Sequence, residues 1–262
     1  MSWEDVDAGW GRRAPYWAYL LEKQYWQAYD DVLSRLHVGP GTRYLDVACG
    51  SGLAASMAAH RGAAVSGIDA AVRLLAIAGE RAPSADLRAG DMNALPWPDA
   101  SFDVVTSFNG IWGPDQRALE EAARVVRPGG LVGLTFWGNL SKMEGFPMMA
   151  PLALCAPQPD VDEQGRELAI GRPGVAEAMF ERAGLTPVER GKIEICFEFP
   201  DAEAAAEALA ASGPAYQGIL HSGEQAVLEA FREAARSLER EGLGVRAPLG
   251  WGFLIGRAGP AA

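Results

Sequence analysis

Between residues 42 and 137 short apolar runs alternate with helix-prone stretches. Tyr44-Leu45-Asp46-Val47 and Ala64-Val65-Ser66-Gly67-Ile68 read as strands, and residues 53–61, 71–81 and 116–126 read as helices. That rhythm predicts a parallel sheet covered on both faces, with the loops at the carboxyl ends of its strands gathered along one edge. Ahead of it, residues 15–36 carry Trp17, Leu21, Tyr25, Ala28, Val32 and Leu36 on one helical stripe, with Pro15 tolerated near the start. Tyr16, Tyr19 and Trp26 point elsewhere. After Trp137 the rhythm breaks into a Pro- and Met-rich stretch, 139–171. A helix at 174–183 and a strand at 188–200 resume it, the strand alternating Ile193, Ile195, Phe197 and Phe199 with Lys192, Glu194, Cys196 and Glu198. Residues 201–242 read as helices, an Ala-rich one capped by Asp201 and a longer amphipathic one at 224–241, before a closing strand at 245–256.

The chemistry gathers at the ends of the first three strands. The run Leu45-Asp46-Val47-Ala48-Cys49-Gly50-Ser51-Gly52 carries a buried strand into an acid and a turn of small residues, where a nucleoside-bearing ligand can approach bare backbone. Ala48 stands where a dinucleotide fingerprint has its first glycine. Asp69 ends the second strand, 23 residues after Asp46, and is placed to accept both hydroxyls of a ribose. Asp91 follows the third strand and can accept from an exocyclic amine while Met92 packs on the ring. Asn109 follows the fourth strand, where its amide could orient the amino-acid part of a ligand or an acceptor, or simply serve a turn.

With Gly67-Ile68-Asp69-Ala70, Gly90-Asp91-Met92-Asn93-Ala94-Leu95-Pro96, and Phe102-Asp103-Val104-Val105 leading to Val126-Arg127-Pro128-Gly129-Gly130, the chain resembles the class I S-adenosylmethionine-dependent methyltransferases. Within them it is similar to the small-molecule group called type 11, most strongly over residues 40–138. Ala48 departs from the family's usual glycine but stays small. The resemblance implies a single α/β domain, a Rossmann-like seven-stranded, mostly parallel sheet with helices on both faces and the last strand antiparallel. It also implies an N-terminal helix crossing the cofactor mouth and helical cap insertions over the substrate. The expected organisation is an aromatic lid helix at 1–38, a cofactor-binding core at 39–138, and substrate cap segments at 139–172 and 201–243. S-adenosyl-L-methionine is the expected cofactor, held by Asp46, Ala48, Cys49, Gly50, Gly52, Asp69, Ala70, Asp91, Met92 and Asn109.

Composition narrows the partners. A formal charge of −11 and the lack of any Lys/Arg run argue against nucleic acid. The three cysteines, Cys49, Cys155 and Cys196, are scattered without metal-ligand spacing, which suits a reducing cytoplasm. No apolar run approaches the ~20 residues of a membrane span, and no targeting segment is visible at the N-terminus. The expected partner is a small molecule, with no membrane and no metal, and with a homodimer left open. The first 29 residues hold four of the eight Trp and four of the six Tyr, more than anchoring a helix requires. Trp10, Tyr16 and Trp17 are therefore expected to line a substrate pocket with Trp112 and Met148, although the same residues could equally be packing.

Methyl transfer from a sulfonium asks little of a protein beyond in-line positioning and exclusion of water. A base is needed only for an acceptor that arrives protonated. His37 and His60 read as helix-end residues, and His221, in the cap, is the one histidine to test as a base. Two other readings share the glycine turn: a nicotinamide-dependent oxidoreductase, which leaves the third acid unexplained and lacks a Tyr-x-x-x-Lys set, and a non-catalytic ligand-binding module on the same fold.

Overall fold

The computed structural model describes residues 6–111, 115–154 and 170–260. Its strands are β1 (Arg43–Val47), β2 (Ala64–Asp69), β3 (Asp86–Ala89), β4 (Phe102–Phe108), β5 (Val126–Trp137), β6 (Leu185–Phe199), β7 (Glu239–Arg240) and β8 (Gly244–Ala258). They form one sheet in the order β3-β2-β1-β4-β5-β8-β6. β1 to β5 pair in parallel, and β8 runs antiparallel between β5 and β6. The expected seven-stranded sheet with its last strand reversed is thus present, with the two-residue β7 added as a short hairpin on β8.

Alternation along each strand separates two apolar layers. From β1, Tyr44 faces one layer while Leu45 and Val47 face the other. The first layer packs under α3 (Trp26–Arg35), α4 (Leu53–His60), α10 (Ala202–Leu209), α11 (Gly213–Ser222) and α12 (Glu224–Arg236). The second is covered by α6 (Gln116–Val125) and α9 (Val175–Arg182). α5 (Val72–Arg81) packs beside α4 along β2 and β3.

The helix expected at 15–36 keeps its direction but changes its winding. Short α1 (Val6–Trp10) and α2 (Ala14–Tyr16) lead into a π turn at Trp17–Leu21, a 3-10 turn at Glu22–Tyr25, and only then α3. In an unbroken helix Leu21 and Glu22 would lie about 100° apart. Here both are 2% exposed, so the change in winding turns an acid inward beside the apolar stripe. The helix expected at 224–241 stops at Arg236; Glu239–Arg240 pair with β8 as β7 instead, and Gly242 and Gly244, at φ +74° and +70°, make the turn of that hairpin. In the stretch after β5 the described residues form a 3-10 turn at Leu140–Lys142 and two one-turn helices, α7 (Phe146–Met149) and α8 (Pro151–Leu154). Asp201 caps α10 as expected, its carboxylate accepting from the Ala204 amide at 2.8 Å.

Candidate active site

In this strand order the connections leave in opposite directions from β1 and β4, so their carboxyl ends open a crevice between two loops. From β1 comes the turn that starts at Ala48. Its backbone is left-handed at Ala48 (φ +58°), Gly50 (+56°) and Gly52 (+78°), a conformation glycine adopts freely and alanine does not. A Cβ on Gly52 would fall 2.6 Å from the Ala78 Cβ, so glycine here is what lets α4 approach α5. From β4 comes Asn109, also left-handed at φ +54°, which asparagine tolerates better than most residues.

Asp46 is buried, and its register partner across β1–β4 is Thr106. The Thr106 hydroxyl donates to the carboxylate at 2.9 Å and accepts from the Tyr44 hydroxyl at 2.6 Å. Burial pushes Asp46 up to about 8; the Thr106 bond opposes the shift, and the nearby Glu22 and Asp69 add to it. Asp69 spends one oxygen on the Gly50 amide and the other on the Ala71 amide, each at 2.7 Å, which ties the end of β2 to the glycine turn. Burial raises its pKa as well, against those backbone bonds. Asp91 accepts from the backbone and side chain of Asn93 at 2.8 and 2.9 Å.

Against the glycine turn lies a cavity of about 40 Å³, lined by Trp17, Glu22, Tyr29, Asp46, Ala48, Cys49, Gly50, Ala54 and Phe108. It brings together four of the expected cofactor residues, Asp46, Ala48, Cys49 and Gly50, with Trp17 from the expected pocket set. Gly52 and Asp69 adjoin it through the turn. Ala70, Asp91, Met92 and Asn109 are not among its lining residues, so the three acids do not share one hollow in this conformation. A larger hollow of about 300 Å³, bordered by Ala100, Val126 and Ala258, lies at the opposite edge, where β4 and β5 begin.

The expected pocket residues disperse. Trp10 stacks edge-to-face on Trp17 at 4.8 Å and lies over Gly213, where a Cβ would meet its ring at 2.2 Å. Tyr16 is exposed, with the Arg13 guanidinium 4.2 Å above its ring. Met148 is fully buried in the first apolar layer, away from the cavity. Trp112 lies outside the described residues. His221 is exposed on the last turn of α11 and does not line the cavity.

Several residues on the site escaped the sequence reading. Thr106, Tyr29 and Phe108 border Asp46 or the cavity. Glu22 takes hydrogen bonds from the Ser51 hydroxyl and the Arg81 guanidinium, and burial raises its pKa against both. The placement of Thr106 is recoverable by setting β4 beside β1; Glu22 shows only as a lone acid between Leu21 and Tyr25. Trp17 Nε1 and Asn109 Nδ2 are buried without a hydrogen-bond partner.

Residues 45–134 match the methyltransferase domain family. Over 191 residues the chain is 32% identical to the demethylmenaquinone methyltransferase of Bacillus licheniformis, spanning 64% of this chain and 80% of that protein. It belongs to the class I S-adenosylmethionine-dependent methyltransferases. An uncharacterised protein of Mycobacterium tuberculosis is 34% identical over 204 residues, 74% of this chain and 72% of its own. Haemonchus contortus phosphoethanolamine N-methyltransferase 2, solved with phosphomonomethylethanolamine and S-adenosylhomocysteine, shares the fold with a TM-score of 0.60 at 17% identity, covering 99% of this chain and 60% of that one. Among the described residues of this methyltransferase, no helix is long and apolar enough to cross a membrane.

Proposed function

We propose that the protein transfers a methyl group from S-adenosyl-L-methionine to the oxygen, nitrogen or carbon of a small organic acceptor, in the cytoplasm. The observation that carries this reading is the pair of buried acids on either side of one glycine turn, Asp46 beneath it and Asp69 gripping its Gly50 amide. The donor set suits the cofactor: carboxylates for the ammonium and the ribose, and bare backbone at Gly50 and Gly52. Two buried N–H groups, on Trp17 and Asn109, are still free to donate. The cavity does not yet suit it, since sites for ligands of drug size enclose roughly 300–1,000 Å³; the N-terminal segment that fills the crevice must move.

In this reading Asp46 and residues 48–52 hold the amino-acid part, Asp69 the ribose, and Asp91 with Met92 the adenine, with Asn109 at the rim. When bound, the cofactor supplies a polarised methyl carbon and a neutral thioether leaving group. The chain's share is to fix the acceptor in line and keep water out. The cap assigned to that task is the N-terminal segment 1–38 with the segments 139–172 and 201–243, and what supports the joining of the first to the last is that Arg13 pairs with Glu207 of α10 and Arg12 donates to the Ala210 carbonyl at 3.1 Å. Titration calorimetry with S-adenosylhomocysteine tests the assignment. Asp69→Ala should lower affinity about tenfold or more, with the variant still folded by circular dichroism. Unchanged affinity would remove Asp69 from the ribose site.

A further inference from the structure

The glycine turn already holds a carboxylate, and it comes from the chain itself. Glu22 accepts from the Ser51 hydroxyl and from Arg81 Nη1, and its Oε1 lies 3.3 Å from where a Cβ on Gly50 would be. Arg81 is aimed by the backbone rather than by Glu22 alone. Its Nη1 also donates to the Ser51 carbonyl at 3.0 Å and its Nη2 to the Ala18 carbonyl at 2.8 Å. A hydroxyl and a guanidinium converging on one oxygen at a bare turn are a carboxylate receptor of the kind that recognises an α-amino acid. The acid filling it is carried on a stretch whose winding departs from α, the π turn at Trp17–Leu21 and the 3-10 turn at Glu22–Tyr25. Such interruptions are where helices hinge. Trp17, on the same stretch, holds its unpartnered indole N–H 3.7 Å from the Gly50 Cβ position.

We propose that Ser51 and Arg81 are the receptor for the α-carboxylate of the bound nucleoside, and that Glu22 is a built-in stand-in which the ligand's carboxylate displaces as residues 17–25 rewind. This rests on the cofactor reading above, narrows the role of residues 48–52 to the Ser51 hydroxyl, and adds Arg81 and Glu22, which that reading did not use. A purely structural Glu22–Arg81 pair would treat all nucleosides alike, whereas a carboxylate receptor distinguishes those that carry an amino acid.

The test is titration calorimetry of the 262-residue chain with S-adenosylhomocysteine and with methylthioadenosine, which keeps the nucleoside and thioether but lacks the amino acid. Arg81→Met should weaken S-adenosylhomocysteine about tenfold or more and leave methylthioadenosine within about twofold. Glu22→Gln should tighten S-adenosylhomocysteine, because the competitor has lost its charge. The double variant Glu22→Gln/Arg81→Met leaves no unpaired buried charge and should show the same selective loss if Arg81→Met alone does not fold. Equal losses for the two ligands, or none for S-adenosylhomocysteine, would overturn the receptor while leaving the cofactor reading standing. Failure of the unaltered protein to bind either ligand would overturn both.

Discussion

Asp46 and Asp103 sit on the same pair of strands, β1 and β4, three register positions apart, and the chain treats them in opposite ways. At the amino-end edge Asp103 accepts from the Arg43 amide at 2.8 Å, from the Arg43 guanidinium at 3.1 and 3.2 Å, and from Arg127 at 2.6 Å. Those bonds, Arg43 first, hold its carboxyl well below the usual carboxylate range. At the carboxyl-end edge Asp46 has a single hydroxyl for company and is pushed up to about 8 by burial. One acid has its charge balanced within the fold. The other is kept from water with nothing to balance its charge, so burial holds the proton on it, an arrangement that makes ionisation costly and suits a site awaiting a cation.

Replacing Asp46 by Asn should have the largest effect and split binding from stability. S-adenosylhomocysteine affinity should fall about 100-fold, read by calorimetry. Because the folded protein retains a proton up to about pH 8 that the unfolded chain releases near pH 4, ionising Asp46 erodes stability as pH rises through that window. The Tm of Asp46→Asn should therefore gain on that of the unaltered protein from about pH 4 to about 8 and then level. Over the same range the unaltered protein should bind more tightly as pH rises, by up to about tenfold per unit. A variant that binds normally would make Asp46 a structural acid like Asp103.

Asp103→Asn should do the reverse, costing about 1–2 kcal/mol in urea unfolding and leaving ligand affinity unchanged. Its pKa is lowered, so that loss should be complete above about pH 4 and fade as pH falls through the depressed value. Salt should weaken it, since both arginines are partly exposed. The smallest effect belongs to Ala48→Gly, which relieves an alanine held at φ +58°. Relief of the left-handed conformation, about 1–2 kcal/mol, outweighs the added freedom of the unfolded chain, about 0.4–1 kcal/mol. The denaturation midpoint should rise slightly; a fall would show that Ala48 packing on Gly110 matters more than its backbone.

The sheet was legible because its signals are local and repeated: alternation in β6, short mostly apolar runs in β1 and β2, and a glycine turn after β1. The acids at or near the strand ends are visible in the sequence, Asp69 at the end of β2 and Asp46 and Asp91 beside the ends of β1 and β3, but only Asp46 lines the cavity against the glycine turn. What stayed hidden depends on one residue's neighbours across the fold. Nothing near Glu22 announces that Ser51 and Arg81 will meet it, and a helical stripe from Trp17 to Leu36 does not reveal that the winding changes beneath it. The aromatic density around Trp10 and the Met-rich stretch holding Met148 fit a pocket or packing alike, and the structure places Met148 in the first apolar layer and Trp10 against Gly213. An aromatic residue satisfies packing and recognition with the same surface.

The position of β8 has a consequence for how the molecule is assembled. Of the described strands β8 comes last in chain order, yet it lies between β5 and β6, so β5 cannot fill its second edge and β6 has no strand partner until β8 folds. β1 to β5 can pair among themselves first, whereas β6 stays without a ladder until β8 reaches it. Losing the residues after 243 would sever that sheet into two pieces rather than trim its border.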